Sequence, residues 1–417
     1  MPGRHGGRLG CATLGLLVVA QPACPQVSSA VQGNAVLSRD RPGLGPVGIP
    51  IGGFRLYPAL NGSVGYDDNI YNVRTDIRKS PIVAVQPKLA VRSKWSNHRL
   101  NLDAEALIER YPDLRTENNN QYGATLSGRL DATRAMQVEG EARAARAIEQ
   151  RGTPGDLFTR GEPVRFDRVG GTLSARMLLG PVLLQAGGAR DSYSYKDARV
   201  GPALLDQSYR NHDSTVFTGR LGYQLGPSVT VFAQGGLRRE RYDQAEAARL
   251  LDANEMSVLG GVRFEITELM SGELGVGYLR RRYRSGAFGR TSAFAYDGAL
   301  TWNPTTLLTV TARARKSIEE SPFLSASGIV TDAASVEADY ELLRNLLVNG
   351  RLSRVREDYR DLDRRDRRIE ARVGLRYLLN RLVELGASYD RRRQRGSGIA
   401  GRDYGGNAIR LSVTVQR

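Results

Sequence analysis

The sequence predicts an all-β protein: a transmembrane, antiparallel, up-and-down β-barrel of about 18 strands, with 16 as the alternative count. Three observations lead to this fold class. Apolar and polar residues alternate along many segments, the breaks between segments are alternately short and long, and aromatic residues precede several short breaks. Even strand numbers, with tight turns at one end and long loops at the other, are typical of outer-membrane barrels.

The alternation is clear in three segments, at 87–95, 99–109 and 367–379. In the first, Leu89 and Val91 share one face of the predicted strand, and Lys88 and Arg92 share the other. Period-two alternation indicates strands with one apolar and one polar face. A closed barrel needs this pattern, because one face meets lipid and the other lines the lumen.

The breaks between strands indicate about eight short turns and nine long loops. The short breaks are at 96–98, 180–181, 226–227, 303–305, 344–345 and 380–381. The long breaks include 150–163, 196–207, 317–332 and 391–403. Four aromatic residues lie on the apolar face just before short breaks: Trp95, Tyr223, Trp302 and Tyr377. They predict an aromatic girdle at the periplasmic membrane interface.

Three regions follow from the composition along the chain. Residues 1–29 predict a signal peptide, cleaved somewhere between 23 and 30, because Arg4 and Arg8 precede an apolar run too short to span a bilayer. Residues 30–53 predict an extended, Pro/Gly-rich periplasmic lead-in, and residues 54–417 the barrel. Both cysteines, Cys11 and Cys24, lie near the start, which excludes a disulfide framework and a cysteine metal site elsewhere.

Residues 39–73 resemble the opening of an outer-membrane β-barrel family, beta-barrel porin 2-like, that is found beside exopolysaccharide loci in Gram-negative bacteria. The family's Tyr-Asp-Asp-Asn motif is met at residues 66–69, and its Ser, Trp and His positions at Ser93, Trp95, Ser96 and His98. The resemblance implies a barrel in the cell outer membrane, in contact with lipid, lipopolysaccharide and the barrel assembly machinery. It also implies an acidic polysaccharide as a partner.

The charged residues of the sequence indicate the lumen as the candidate binding surface. Lys and Arg outnumber Asp and Glu by 60 to 44, a balance that favours anionic partners. The strand pattern predicts six inward arginines that bind anionic solute: Arg129, Arg176, Arg220, Arg263, Arg313 and Arg372. Four carboxylates on earlier strands predict a transverse field: Asp103, Glu105, Glu139 and Glu141. Two alternatives stay open, an anion-selective pore and a lumen closed by arginine–carboxylate networks.

The acidic motif at the end of the first predicted strand has two interpretations. Asp67, Asp68 and Asn69 favour a turn, because such side chains bond to nearby backbone. The sharper hypothesis is a divalent cation that bridges them to lipopolysaccharide. A catalytic pair is disfavoured, because no neighbouring group would separate the two carboxyl pKa values.

Other chemistry is not indicated by the sequence. The three histidines, His5, His98 and His212, are scattered, so they predict neither a metal cluster nor a catalytic triad. We therefore predict no enzyme activity, no cofactor and, given export, no nucleic-acid partner. The leading hypothesis is a pore or accessory for polar anionic solute or exopolysaccharide export. The alternative is a structural or adhesive barrel whose basic outer segments, "RRRYR", "RDLDRRDRR" and "DRRRQR", bind lipopolysaccharide or surface polysaccharide.

Overall fold

A computed structural model describes residues 35–39, 41–267 and 269–417. Eighteen of its strands form one closed antiparallel sheet, β2–β8 and β11–β21; β1 pairs antiparallel with the beginning of β2, and β9 and β10 form a separate hairpin. The strands are β1 (Ile49–Ile51), β2 (Phe54–Asp67), β3 (Ser80–Ser93), β4 (Arg99–Arg110), β5 (Asn119–Asp131), β6 (Met136–Ile148), β7 (Arg165–Leu179), β8 (Val182–Tyr195), β9 (Ala198–Val200), β10 (Ala203–Leu205), β11 (His212–Gly226), β12 (Val229–Tyr242), β13 (Ala253–Ile266), β14 (Met270–Tyr283), β15 (Thr291–Thr305), β16 (Leu308–Glu319), β17 (Gly328–Leu343), β18 (Leu346–Arg360), β19 (Arg364–Leu378), β20 (Val383–Gly398) and β21 (Tyr404–Gln416).

Helical structure is minor in the described part of the chain. The outer loops carry α1 (Ala245–Leu251) and two 3-10 turns, Arg115–Glu117 and Ser208–Arg210. Among the residues the structure describes, no helix has both the length and the apolar character needed to cross a membrane.

Pairing between β2 and β21 closes the sheet. The register runs from Ala59 opposite Gln416 to Asp67 opposite Ala408. Closure gives every barrel strand two neighbours, which removes the unpaired edges that a long open sheet would present. The prediction of an 18-stranded up-and-down barrel is confirmed.

The connections alternate as the sequence predicts, with eight short turns at one rim and nine loops at the other. Two details differ. The break at 303–305 lies inside β15, beside an irregularity in its pairing with β16, and the turn itself is at 306–307. Half of the segment 317–332 and most of the segment 391–403 are strand, because the hydrogen-bonded ladders continue past the membrane-facing zone, and only 320–327 and 399–403 connect strands.

The two faces of the wall follow the predicted alternation. Leucine, valine and aromatic side chains point outward along the middle of the strands, as Leu352 does with 56% of its surface exposed. The four predicted girdle residues, Trp95, Tyr223, Trp302 and Tyr377, are also exposed, beside short turns. In outer-membrane barrels the short turns are periplasmic, so the long loops here face the exterior.

The residues before β1 lie against the inward face at the periplasmic end. The Val36 backbone N–H donates to Thr309 Oγ1 at 2.9 Å, and Val36 is fully buried. Arg41 Nη2 lies 2.9 Å from Glu341 Oε2. The sequence predicts an extended lead-in here, but residues 35–39 and 41–45 fold into tight turns. The reason is that Arg41 closes the turn by donating to the Val36 carbonyl at 2.7 Å while it pairs with the wall.

Candidate functional site in the barrel lumen

The loop between β6 and β7, residues 149–164, crosses the lumen; we name it the crossing loop. On its far side Arg368 of β19 donates from Nη1 to the Gly152 carbonyl at 2.9 Å. Arg402, between β20 and β21, lies with Nη1 2.6 Å from Asp156 Oδ2. Six strands, β20, β21 and β2–β5, separate β19 from β6 in the closed sheet. The loop therefore spans the interior and narrows it near the outer end.

Arg151 holds the crossing loop together. Its guanidinium donates to both oxygens of Glu117, at 2.9 and 2.5 Å, and to Asp156 Oδ1 at 2.8 Å. It also donates to the carbonyls of Phe158 and Gly161. All three charged side chains are buried. Burial raises the pKa of Glu117, because the carboxylate loses water, and the hydrogen bonds from Arg151 oppose that rise.

Gly152 is required at its place in the crossing loop for two reasons. Its φ of +80° is a backbone conformation that residues with a Cβ rarely adopt. A Cβ there would also collide with the Tyr404 hydroxyl at the start of β21. The loop backbone can approach the far wall only because this position has no side chain.

Deeper in the barrel, cross-strand register aligns basic side chains on the inward face. Arg176 lies opposite Gln185, Gln185 opposite Arg220, and Arg220 opposite Gln234. On the following strands Arg263 lies opposite Glu273, Glu273 opposite Ala299, and Ala299 opposite Arg313. We name this set the arginine belt: Arg176, Gln185, Arg220, Gln234, Arg263, Glu273 and Arg313. It contains four cations and one anion.

Glu273 joins the two halves of the arginine belt. Arg220 grips it with two bonds, Nη2 to Oε1 at 2.7 Å and Nη1 to Oε2 at 3.0 Å. Arg263 Nη2 lies 2.7 Å from the same Oε2. The Arg220 guanidinium also stacks on the Phe232 ring, 4.1 Å from its centroid. The Glu273 carboxylate thus pairs with two guanidinium groups, and these charge-assisted contacts fix the orientation of both arginine side chains.

The remaining predicted lumen residues are also inward but lie in local pairs. Arg129 is 3.1 Å from Asp131, and Arg372 pairs with Asp390. The predicted acidic side is neutralised in the same way: Asp103 pairs with Arg92, Glu105 lies 3.8 Å from Lys88, and Glu141 is 2.7 Å from Arg143. The predicted transverse field is therefore reduced, because each of these carboxylates has a cation on the same or the next strand.

The acidic motif sits at the seam where β2 meets β21. Asp67 Oδ1 accepts from Arg392 Nη2 at 2.6 Å and from the Asn69 backbone N–H at 2.8 Å. Asp68 accepts from the backbone and side chain of Asn407, and Asn69 Nδ2 donates to the Val73 and Gly405 carbonyls. These contacts agree with the turn interpretation. The divalent cation stays a prediction.

Sequence reasoning missed two parts of the site. Glu273 sits in an ordinary alternating strand, so only the register reveals that it faces Arg220 and Arg263. The segment 150–163 was expected as a loop, but not as one that enters the lumen. The signals available in the sequence of this segment were two nearby glycines, Gly152 and Gly155, and the charged Arg151.

Comparison with solved structures finds barrels with little sequence similarity. Acinetobacter baumannii OccAB3 has 12% identity and a TM-score of 0.46, over 88% of this chain and 100% of that one. Pseudomonas aeruginosa OccK2 (OpdF), solved in complex with glucuronate, has 13% identity and a TM-score of 0.46, over 87% and 98%. P. aeruginosa OpdK has 13% identity and a TM-score of 0.42, over 87% and 98%. Such values carry no information on what this chain transports.

Among curated proteins, none matches this sequence significantly. The family described as "Putative beta-barrel porin 2" matches residues 41–417, which includes the whole barrel wall. The closed sheet of 18 strands, its apolar outer face and its charged inner face are those of a porin-like barrel of the Gram-negative outer membrane. This chain belongs to the "Putative beta-barrel porin 2" family.

Proposed function

We propose that the barrel is a non-enzymatic channel for small, polar, anionic solutes. The observation that carries the proposal is the arginine belt, where four arginines face one glutamate. Fixed cations in a water-filled passage concentrate anions and repel cations. Arg129 and Arg372 each lie in a local ion pair, whereas Arg220 and Arg263 share the single carboxylate of Glu273, so the belt carries an excess of positive charge.

The crossing loop favours small solutes over a polymer. The loop is fixed on both sides of the barrel. Glu117 bonds the Arg151 side chain on one side, and on the other Arg368 bonds the Gly152 carbonyl and Arg402 the Asp156 side chain. Export of an acidic polysaccharide would require this buried ion network to open for each chain. A monosaccharide-sized acid would pass beside the loop without breaking it.

The test is ion selectivity in planar bilayers, with the wild type compared with the Arg176→Glu/Arg313→Glu double variant. The wild type should prefer anions at low salt, and the variant should shift the reversal potential towards cations. Both effects should fade as salt rises, since the Debye length is about 8 Å at physiological ionic strength. Liposome swelling with gluconate and with sorbitol, which differ chiefly by the carboxylate, extends the test to organic solutes.

The matched control is Arg190→Glu. Arg190 lies on the outward face of β8 and pairs with Asp213 at 2.7 Å, so the same charge change there should leave selectivity unchanged. A wild-type barrel that conducts no ions, or prefers cations, would contradict the proposal. Faster transport of an acidic oligosaccharide than of gluconate would favour polymer export.

A second function, binding of lipopolysaccharide, is favoured by one specific observation on the outer surface. Arg356, Arg367 and Arg395 lie directly opposite one another on β18, β19 and β20, near the outer end of these strands. Like charges in direct cross-strand register destabilise a sheet. Asp358 lies 3.2 Å from Arg356 and offsets part of that repulsion. An external anion would offset the rest at Arg367 and Arg395, and lipid A phosphates are the anions at this height of the outer leaflet.

The expected result is stabilisation by lipid A that depends on its phosphates. In detergent, lipid A should raise the thermal unfolding temperature of the wild type more than dephosphorylated lipid A does. The Arg367→Gln/Arg395→Gln variant should lose most of this difference. Arg190→Gln, which removes an outward arginine from another part of the wall, should keep it. Equal shifts for both lipids, or for both variants, would refute a phosphate site at this row.

A further inference from the structure

Three ligand-type side chains meet inside the outer half of the barrel, away from the arginine belt. His212 begins β11, Glu240 is near the end of β12, and Glu320 follows β16 in the loop 320–327. One ligand atom from each lies within 4.8 Å of the other two. His212 and Glu320 line a partly open cavity of about 160 Å³, which Thr153, Pro154 and Gly155 of the crossing loop also border.

The His212 ring is held in one orientation. It stacks between Tyr193 and Tyr242, with ring centroids 4.7 and 5.1 Å away. Its Nδ1 lies 2.8 Å from the Arg210 carbonyl, an acceptor, so Nδ1 carries the proton. The neutral ring then presents the lone pair of Nε2 to the two carboxylates. A backbone carbonyl on the far nitrogen is the common arrangement for metal-binding histidine.

The atoms that face one another here lack hydrogen bonds. His212 Nε2 and Glu240 Oε2 are buried, and neither has a hydrogen-bond partner. Nε2 lies 3.6 Å from Glu320 Oε2, beyond hydrogen-bond distance. A buried lone pair directed at two carboxylates is unfavourable unless a metal cation or a proton lies between them.

The neighbouring arginines do not supply that cation. Arg238 Nη1 is 3.7 Å from Glu240 Oε1, and Ser214 donates to the same oxygen at 2.8 Å. Arg281 Nη2 is 3.5 Å from Glu320 Oε1, while Arg281 Nε lies 3.1 Å from Glu255. Both arginines therefore approach Oε1 atoms, and the oxygen of Glu320 nearest the imidazole, Oε2, faces His212.

We propose that His212, Glu240 and Glu320 bind a divalent transition-metal ion, of which zinc is the best match. Zinc takes imidazole nitrogen and carboxylate oxygen at about 2.0–2.2 Å, so modest side-chain movement brings all three ligand atoms into range. The fourth tetrahedral position is open to water from the cavity. A protonated imidazole is the competing cation, but its single Nε2 proton can bond only one of the two carboxylates.

The metal would tie the loop 320–327 to the opposite strands. Glu320 is the only one of the three ligands that lies in a loop, and that loop also contacts the 3-10 turn at 208–210, where Tyr209 donates to the Pro322 carbonyl at 3.0 Å. Metal binding would fix this loop inside the barrel, next to the crossing loop. The site thus adds a structural clamp to the channel and is independent of its ion selectivity.

The test uses the full barrel, refolded, stripped with chelator and incubated with zinc. After desalting, the wild type should keep zinc in stoichiometric amount, and zinc should raise its thermal unfolding temperature. Cobalt should give visible ligand-field bands. His212→Gln and Glu240→Gln should each weaken zinc binding by at least roughly tenfold and abolish the cobalt bands.

The matched control is His98→Gln, which removes the histidine of the turn between β3 and β4 and should leave zinc binding intact. Heat-modifiable gel migration of each variant shows whether it has folded, so loss of zinc by an unfolded barrel is not counted. Folded wild type that retains no zinc and shows no cobalt bands would overturn the proposal. If His212→Gln loses the same stability with and without zinc, the positive charge at this site is a proton on the His212 imidazole and not a metal ion.

Discussion

Replacing Arg151 with alanine is expected to raise single-channel conductance severalfold and to destabilise the barrel by about 3–5 kcal/mol, the usual effect of breaking a buried ion pair. Within the described part of the chain, Arg151 is the only cation that bonds both Glu117 and Asp156. Without it, Glu117 would be a buried carboxylate with no cation, while Asp156 would keep only Arg402, and the crossing loop would move towards water. Conductance in planar bilayers and urea unfolding in liposomes measure the two effects.

Arg165→Ala provides the control for Arg151→Ala. Arg165 begins β7, directly after the crossing loop, and its contact with Glu162 is exposed, at 3.4 Å. Exposed pairs contribute about 0–1 kcal/mol, so this variant should resemble the wild type in both measurements. If Arg151→Ala conducts like the wild type, the crossing loop does not limit the current.

Replacing Leu352 with arginine should destabilise the folded barrel in liposomes by roughly 2–4 kcal/mol, as expected for a cation near the bilayer midplane. Leu352 lies halfway along β18 and is 56% exposed on the outward face. The charge would have to remain in hydrocarbon or draw headgroups and water inward. Urea unfolding of the variant and the wild type gives the difference.

Ser353→Arg is the neighbouring control and should cost much less. Ser353 faces the lumen, opposite Glu370, whose carboxylate is half exposed and can pair with the new cation. Equal costs for the two arginines would mean that the lumen is as dry as the lipid face. A larger cost at Ser353 would reverse the assignment of the two faces.

The barrel could be predicted from the sequence because the pattern that produces it lies within single strands and turns. Each strand alternates within a dozen residues, as Leu89 and Val91 do against Lys88 and Arg92, and most of the short turns are marked by glycine, proline or asparagine. Lipid on one side and water on the other impose this pattern directly. The inward direction of Arg176, Arg220, Arg263 and Arg313 follows from the same alternation.

The contacts that make the site were not predictable, because they depend on distant pairs. Arg151 and Glu117 are 34 residues apart in the sequence, and Arg368 and Gly152 are 216 apart. Neither contact produces a periodic pattern that the sequence could show. His212 looked isolated for the same reason: Glu240 reaches it through the register of β11 and β12, and Glu320 through a folded loop. The register between strands and the entry of a loop into the lumen depend on the closed barrel as a whole and not on the local sequence.

The seam between β2 and β21 has a consequence for the kinetics of folding. Asp67 and Arg392 are 325 residues apart, and Asp68 and Asn407 are 339 apart, so these bonds cannot form until nearly the entire wall exists. Contacts between residues so far apart in the sequence form slowly, because the chain loses conformational entropy before these contacts can stabilise it. Until that moment two strands have free edges that invite pairing with another chain. The hydrogen bonds of Asp67, Asp68 and Asn69 thus form late in folding, and weakening them should prolong the interval in which aggregation competes with insertion.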